Sequence, residues 1–193
     1  MFSFEIYKRD LLARIGKIRT KSGIVETPVY LPVINPVKQQ VSPKELEETF
    51  KCEALITNAY IIKKRFGNEP AQLREGVHGL LNFSRVIMTD SGAYQILAYG
   101  HVDVTPEEII RYQEEIDTDI ATILDLPTGW NVSREYAKHT VDETIKRARE
   151  LETIKRRGEI AWVGPIQGGK YLDLVAFSAQ EMGKLSFQIH ALG

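Results

Sequence analysis

The segment Met88–Gly100 (MTDSGAYQILAYG) contains several residues that could take part in catalysis or ligand binding. An apolar run ends there in Asp90 and Ser91, and the two small residues that follow would let a backbone approach a ligand closely. Asp90 could serve as an acid, a base or a nucleophile, and Tyr94 could stack on a planar ring. Because aspartate and serine are also favoured helix caps, Asp90 and Ser91 fit the start of a helix equally well.

A second carboxylate, Asp125, interrupts an apolar run in Ile123–Thr128 (ILDLPT). An unpaired carboxylate is costly in apolar surroundings, so Asp125 needs hydrogen-bond donors. The edge of guanine presents two adjacent donors, N1–H and N2–H₂, which one carboxylate can accept together. The structural alternative is a turn at the end of a strand, which an aspartate before Leu-Pro also fits.

The third candidate is Gln167 in the segment Val163–Asp173 (VGPIQGGKYLD). Its amide offers both an acceptor and donors, which suits the edge of a nucleobase, and Gly168 and Gly169 would give access to the backbone beside it. The segment lacks the GxxxxGK[ST] spacing of a phosphate-binding loop. A glycine-rich turn between a strand and a helix is the alternative interpretation.

Six short apolar runs could form the strands that position these segments. They are rich in β-branched and aromatic residues, which is typical of strands buried on both faces of a parallel sheet: Val29–Ile34, Ala54–Ile56, Val86–Met88, Ala121–Leu124, Ile160–Val163 and Phe187–Leu192. Helices are predicted between them, over Ser42–Thr49, Thr105–Glu115, Ser133–Arg157 and Ser178–Lys184.

This alternation predicts βαβ units and an α/β fold. Polar residues follow most of the strands and would gather at one end of the sheet, as in a (β/α)₈ barrel: Asn58, Asp90, Asp125, Gln167 and His190. Six strands do not close such a barrel, so we expect either an open sheet or a barrel completed elsewhere. The chain stops at IHALG directly after a strand, which we interpret as a cut.

Composition narrows the function classes. The 193 residues are 43% hydrophobic and 26% charged, which is ordinary for one globular domain, and the formal net charge of −1 argues against wholesale electrostatic binding of nucleic acid. The basic clusters at 63–65 and 155–157 could contact phosphates, or could be solvated helix faces.

A single cysteine excludes an internal disulfide and a Cys-rich zinc cluster, and we expect a reduced, cytoplasmic setting. The sequence contains neither a signal peptide nor a membrane span, and its histidines lack metal-ligand spacing.

Taken in series, MTDSGAYQ, LDLPT, QGGKYLDL and IHALG resemble the tRNA-guanine transglycosylase family, whose signature is TDSG[GS][FY]Q. The segments LPVINPVK and ITNAYII are similar to its archaeal members, and the resemblance covers essentially the whole chain. It implies a (β/α)₈ TIM-type barrel, of which residues 1–193 supply about the first six β/α units. This single catalytic-domain portion would lack the zinc subdomain and the RNA-binding modules.

The family exchanges a guanine in tRNA without breaking the phosphodiester chain, and archaeal members insert 7-cyano-7-deazaguanine on the way to archaeosine. By motif match, Asp90 is similar to the catalytic aspartate proposed as general acid/base. The other matches are with residues that bind the base or lie near the ribose: Ser91, Tyr94 as the stacking aromatic, Asp125 on the guanine edge, Gln167 on the base carbonyl, Gly168, Ala191 and Leu192 closing the pocket, and Asn58 near the ribose.

The chain also departs from the family pattern. The family's second aspartate, usually assigned as the nucleophile, and its Cys₃His zinc ligands would lie beyond residue 193. Ala93 stands where glycine or serine is usual, and His190 stands where glycine is usual. We therefore expect that this chain alone does not complete turnover.

The resemblance implies tRNA and a guanine or 7-deazaguanine base as partners, with no membrane, and a homodimer or a complementing C-terminal portion as further partners. Two other readings stay open. One is a non-catalytic base- or tRNA-binding subunit or paralogue that acts with a catalytic partner. The other is an unrelated α/β enzyme for a small planar substrate. The identity of the inserted base and the modified tRNA position are also open.

Overall fold

The computed structural model describes residues 2–67, 69 and 71–193, with the side chains of all of these except 97–99. It opens with a small antiparallel sheet of strands β1 (Ser3–Asp10), β2 (Ala13–Arg19) and β3 (Ile24–Thr27), in that order. This sheet was not predicted from the sequence. Its first strands are largely exposed and interrupted by charged residues, so they lack the apolar runs that mark a buried strand.

The second sheet is parallel and carries the candidate site. Its strands lie side by side in chain order: β4 (Ala54–Asn58), β5 (Val86–Asp90), β6 (Ile120–Thr122), β7 (Ala161–Ile166) and β8 (Ile189–Leu192). Five of the six predicted strands are thereby confirmed. Parallel strands in sequential order, with helices between them, are compatible with part of a TIM-type barrel.

The prediction of a strand over Val29–Ile34 was wrong. Only Val33 forms a bridge, parallel to Ile56 of β4. The backbone N–H of Ile34 donates to the Ile56 carbonyl (2.8 Å), and the Ile56 N–H donates to the carbonyl of Pro32 (2.9 Å). Pro32 has no N–H to donate, so it cannot continue a ladder on both sides.

The helices lie between the parallel strands, except for the first helix, which precedes them. Their bounds are α1 (Pro43–Glu48), α2 (Ala59–Phe66), α3 (Gly76–Leu81), α4 (Ala93–Tyr99), α5 (Pro106–Glu115), α6 (Arg134–Ile154) and α7 (Leu172–Met182). Helices α1, α5 and α6 begin where their capping residues predict, whereas α2, α3 and α4 were not predicted. Side chains of Ser42, Thr105 and Ser133 cap α1, α5 and α6. Helix α7 begins six residues before the predicted Ser178, because its N-cap residue Tyr171 makes no capping hydrogen bond and gives no sequence signal.

The parallel sheet has two different faces. Leu55 and Ile87 pack among the helices, whereas Ala54 and Val86 pack on the opposite face with Val25 of β3. Since alternate residues of a strand share a face, the last residues of β4 and β5 project from this second face, at the carboxyl end of the sheet. Among the described helices, none has both the length and the apolar character that crossing a membrane requires.

Candidate functional site

Asp90 is the last residue of β5 and lies beside Asn58, the last residue of β4, in the parallel register. The Asn58 Nδ2 donates to Asp90 Oδ2 (3.1 Å) and to Gln95 Oε1 (3.0 Å). The Asn58 Oδ1 accepts the backbone N–H of Ile61 (2.9 Å) and so caps α2. With its amide fully committed, Asn58 holds one oxygen of Asp90 in a fixed position.

The turn after Asp90 requires the residues that follow it. Gly92 has a φ of +99°, and a Cβ there would come within 2.5 Å of the Cβ of Tyr60, so no larger residue fits. Burial raises the pKa of the Asp90 carboxyl, and the backbone N–H groups of Gly92 and Ser91 in this turn lower it. These two N–H groups and Asn58 offset only part of the rise in pKa.

Ser91 and Tyr94 are placed differently from each other. Ser91 is fully buried, and its hydroxyl has no hydrogen-bond partner among the described residues. Tyr94 lies in the first turn of α4, is 68% exposed, and lines a cavity of about 490 Å³ together with Asp90, Asn58 and Gln95. A buried hydroxyl without a partner costs free energy, which a ligand at this site could recover.

Asp125 lies three residues beyond the end of β6 and is half-buried. Burial raises its pKa to about 6; the negative charge of Asp90 adds to the rise, and the guanidinium of Arg147 opposes it. Arg147 reaches the same strand end from α6, where its Nη1 donates to the carbonyl of Leu124 (3.0 Å). Asp90 and Asp125 therefore stand at the carboxyl ends of the neighbouring strands β5 and β6, and their common role at one site stays a prediction.

Gln167 is buried directly after β7, and its side chain is bonded on every side by the protein. Its Oε1 accepts the N–H (2.8 Å) and the hydroxyl (3.2 Å) of Thr128. Its Nε2 donates to the Leu126 carbonyl (2.9 Å) and to Thr144 Oγ1 (2.5 Å). Gln167 thus braces the loop that carries Asp125, while its predicted contact with a base carbonyl stays a prediction.

Gly168 and the end of β8 complete the predicted set. A Cβ on Gly168 would lie 2.6 Å from the backbone nitrogen of Val175, so α7 can pack there only against a glycine. Ala191 packs on the same sheet face as Ala54 and Val86. Leu192 is 82% exposed, and its predicted role in closing a pocket is not tested by its position.

His190 alternates with Ala191 on β8 and is exposed, with its ring 6.3 Å from that of Phe187. His190 is therefore the second residue of β8 rather than its end, and its neighbours Ile189 and Ala191 are the residues that pack with Ala54 and Val86.

Four further residues near the site were not predicted from the sequence. Gln95 shares the Asn58 amide with Asp90, and Arg147 affects the pKa of Asp125. Thr140 and Thr144 are buried on the apolar face of α6, bonded to Thr128 (2.7 Å) and to Leu126 (3.0 Å). Two threonines four residues apart within an apolar helix stripe are the signal that could have revealed them.

The Cys₃His zinc site that the resemblance implies does not fit these residues. The chain has one cysteine, Cys52, which is half-buried. Across residues 2–67, 69 and 71–193, no three His, Cys, Asp or Glu side chains are grouped as metal ligands.

Comparison with known proteins extends these observations. The family model for queuine tRNA-ribosyltransferase matches residues 10–193. A tRNA-guanine(15) transglycosylase of Aeropyrum pernix is 49% identical over 184 residues, covering 95% of this chain and 35% of that protein. Proteins of the same name from Sulfolobus acidocaldarius (46% identical, 92% of this chain and 35% of the relative) and Pyrobaculum aerophilum (45%, 99% and 38%) are similar to it as well. The chain spans about a third of the length of these relatives.

Proposed function

Because the chain belongs to the queuine tRNA-ribosyltransferase family, we propose that it supplies the base-binding pocket and one catalytic aspartate of a tRNA-guanine transglycosylase. The enzyme would exchange a guanine in tRNA for 7-cyano-7-deazaguanine, in the synthesis of archaeosine. The curated relatives are named for guanine 15, and we take that position as the target. The observation that carries the proposal is the placement of two carboxylates at the same end of adjacent parallel strands: Asp90 ends β5, and Asp125 follows β6.

The two carboxylates would have different roles in the proposed reaction. Displacing a base at C1′ develops positive charge on the ribose and negative charge on the leaving purine. Asp90, held by Asn58 and by the turn after it, would act as general acid/base on the base that leaves or arrives. A raised pKa suits that role, because an acid works best when its pKa approaches the operating pH.

Asp125 would recognise the base. With a pKa of about 6 it is mostly ionised at neutral pH, and its carboxylate can accept N1–H and N2–H₂ of guanine together. The exposed ring of Tyr94 would stack on the purine, and the Ser91 hydroxyl would gain the partner it lacks among the described residues. These contacts would offset the cost of drawing the target base out of its stack in the tRNA.

The first test is binding of free guanine to the chain by equilibrium dialysis, with Asp125→Asn and Asp90→Asn beside the unmodified sequence. We expect the unmodified chain to bind and Asp125→Asn to lose most of the affinity. Phe50→Ala is a matched control, since Phe50 is exposed before β4 at the other end of the sheet. Absence of guanine binding by the unmodified chain would overturn the proposal.

The second test is incorporation of radiolabelled guanine into unmodified tRNA. We expect none from the chain alone, and incorporation when the C-terminal two thirds of a curated relative is added as a second polypeptide. Incorporation by the chain alone would mean that the nucleophile is among these residues, with Asp90 the first candidate. Guanine binding without exchange in the complemented enzyme would favour a non-catalytic subunit.

A further inference from the structure

The loop between β6 and α6 presents an exposed tryptophan on a firmly held backbone. On one side, the N–H and hydroxyl of Thr128 donate to Gln167 Oε1 (2.8 and 3.2 Å). On the other side, the carbonyl of Val132 accepts a hydrogen bond from the Tyr171 hydroxyl (2.9 Å). Between these two attachments lies Trp130, which is 68% exposed. A large apolar ring held out of the core by a braced loop is suited to a binding partner.

The loop between β7 and α7 lies directly against it. Gly169 has a φ of +56°, and a Cβ there would lie 3.1 Å from the carbonyl oxygen of Gly129. The next residue, Lys170, is exposed, with its ammonium 5.6 Å from the centre of the Tyr171 ring. Residues 129–131 and 169–172 therefore form one continuous surface, here called the rim.

The rim adjoins the proposed base pocket. Both of its loops follow the carboxyl ends of parallel strands, at the end of the sheet where Asp90 and Asp125 lie. Trp130 is five residues after Asp125, so even a fully extended chain would place them at most about 18 Å apart. Successive nucleotides in a stacked strand are spaced by roughly 3.4 Å, so the rim is within a few nucleotides of a base bound by Asp125.

We propose that the rim binds the RNA beside the exchanged guanine, with Trp130 stacked on a neighbouring base and Lys170 against a phosphate. This inference rests on the proposed function. Removing a guanine from its stack exposes the faces of its neighbours, and an aromatic ring can cover such a face whatever the sequence. The net charge of −1 favours stacking over general attraction to phosphates as the source of affinity.

Tryptophan fluorescence reports on this surface directly. The chain has two tryptophans, and Trp162 is 1% exposed within β7, so Trp162→Phe leaves Trp130 as the reporter. Titration with an unmodified tRNA transcript should quench the emission of Trp162→Phe. If saturating tRNA leaves the emission unchanged, or if an excess of the other polypeptide of the complemented enzyme quenches it and tRNA does not, the inference is overturned.

Affinity measurements separate the rim from the base pocket. We expect Trp130→Ala to weaken tRNA binding by about tenfold and Trp130→Phe to restore most of it. Lys170→Ala should reduce the slope of log K against log salt by about 1. Phe50→Ala, which removes an exposed aromatic ring at the other end of the sheet, is the control.

Free guanine distinguishes failure of this inference from failure of the proposed function. Trp130→Ala should bind guanine as the unmodified chain does, because no contact with the free base is assigned to the rim. If the unmodified chain binds guanine and Trp130→Ala leaves tRNA affinity intact, only the rim is refuted. If the unmodified chain does not bind guanine, the proposed function fails first. Equal losses of affinity for guanine and for tRNA would make Trp130 part of the base pocket and overturn the proposed role of the rim in binding the neighbouring RNA.

Discussion

At the amino ends of the parallel strands Asp119 precedes β6 and is fully buried, whereas at the carboxyl ends Asp90 and Asp125 are half-buried. Asp119 Oδ2 accepts the backbone N–H of Ile87 (2.8 Å) and lies 3.1 Å from His78 Nε2. Burial raises the pKa of Asp119, but the hydrogen bonds from His78, Ser22 and Ile87 outweigh it, and the net pKa is lowered. This holds although Asp119 Oδ1 has no partner among the described residues.

The carboxyl end shows the opposite balance. Burial raises the pKa values of both Asp90 and Asp125, and the surrounding hydrogen-bond donors offset only part of that rise. A carboxylate whose donors come from the fold stabilises the fold. One that is desolvated and short of donors is suited to a ligand that brings its own, which is why perturbed carboxylates in clefts indicate function.

The amino-end cluster also contains the residue types of a nucleophile triad without its geometry. Ser22 Oγ (3.3 Å) and Asp119 Oδ2 (3.1 Å) both approach the same nitrogen of His78, Nε2. The other ring nitrogen, Nδ1, lies 3.0 Å from the carbonyl of Phe83. A triad needs the serine and the aspartate on different nitrogens, so this cluster ties the β2–β3 turn to the sheet instead.

The largest expected effect is on stability at the amino end. Asp119→Asn leaves His78 without its charged partner and should lower the free energy of unfolding by about 3 kcal/mol. The pKa of His78 is raised despite its burial, because Asp119 favours the protonated ring. The stabilisation is therefore present below the ordinary pKa of histidine and is lost as the pH rises through the raised one, so urea unfolding is best measured near pH 6. A loss below about 1 kcal/mol would contradict a structural role for Asp119.

At the carboxyl end the same substitution should stabilise the protein. The pKa of Asp125 rises from 3.8 to about 6 in the folded chain, so folding disfavours its ionised form. Below pH 3.8 the carboxyl is protonated in both states, and Asp125→Asn should change little. The gain should grow between pH 4 and 6 and level off above that, at on the order of 1–3 kcal/mol. Unfolding curves at several pH values measure this gain in stability. A gain that is equal at all pH values would contradict the raised pKa of Asp125 as its cause.

Guanine affinity should change in the opposite sense to stability. Asp125→Asn exchanges a carboxylate that accepts two donors for an amide that accepts with one oxygen, and we expect a loss of 10- to 100-fold. For the unmodified chain, affinity should fall as the pH drops below about 6, because the protonated carboxyl accepts poorly. Isothermal titration with guanine from pH 5 to 8 tests both. An affinity independent of pH over that range would remove Asp125 from base recognition.

The contrast between the two ends also explains what the sequence could predict. Asp90, Asp125 and Gln167 each follow an apolar strand, so their gathering at one edge could be predicted from alternation alone. The partners of these residues could not, because Arg147 and Thr144 come from a distant turn of α6, and only packing decides which face of that helix meets the loop.

The errors in the predicted fold have local causes. The run at 29–34 has the composition of a strand, but Pro32 keeps it from forming a regular ladder, and α7 begins after Tyr171 without the capping bond that would reveal its start in the sequence. The N-terminal sheet is stabilised by pairing between exposed strands, which leaves no hydrophobic period to detect.

The smallest expected effect decides what Gln167 does. Thr144→Val removes the hydroxyl that accepts from Gln167 Nε2 (2.5 Å) and from the Leu126 N–H (3.0 Å), and Thr144 is not itself a predicted base contact. Because Leu126 adjoins Asp125, we expect guanine affinity to fall about threefold in Thr144→Val and about as much in Gln167→Ala. The double variant Thr144→Val/Gln167→Ala distinguishes an indirect role of Gln167, through the loop, from a direct contact with the base. If Gln167 acts through the loop, the two losses overlap and the double variant is little worse than either single one. Losses that multiply, with the larger share from Gln167→Ala, would mean that the Gln167 amide leaves the loop and contacts the base itself.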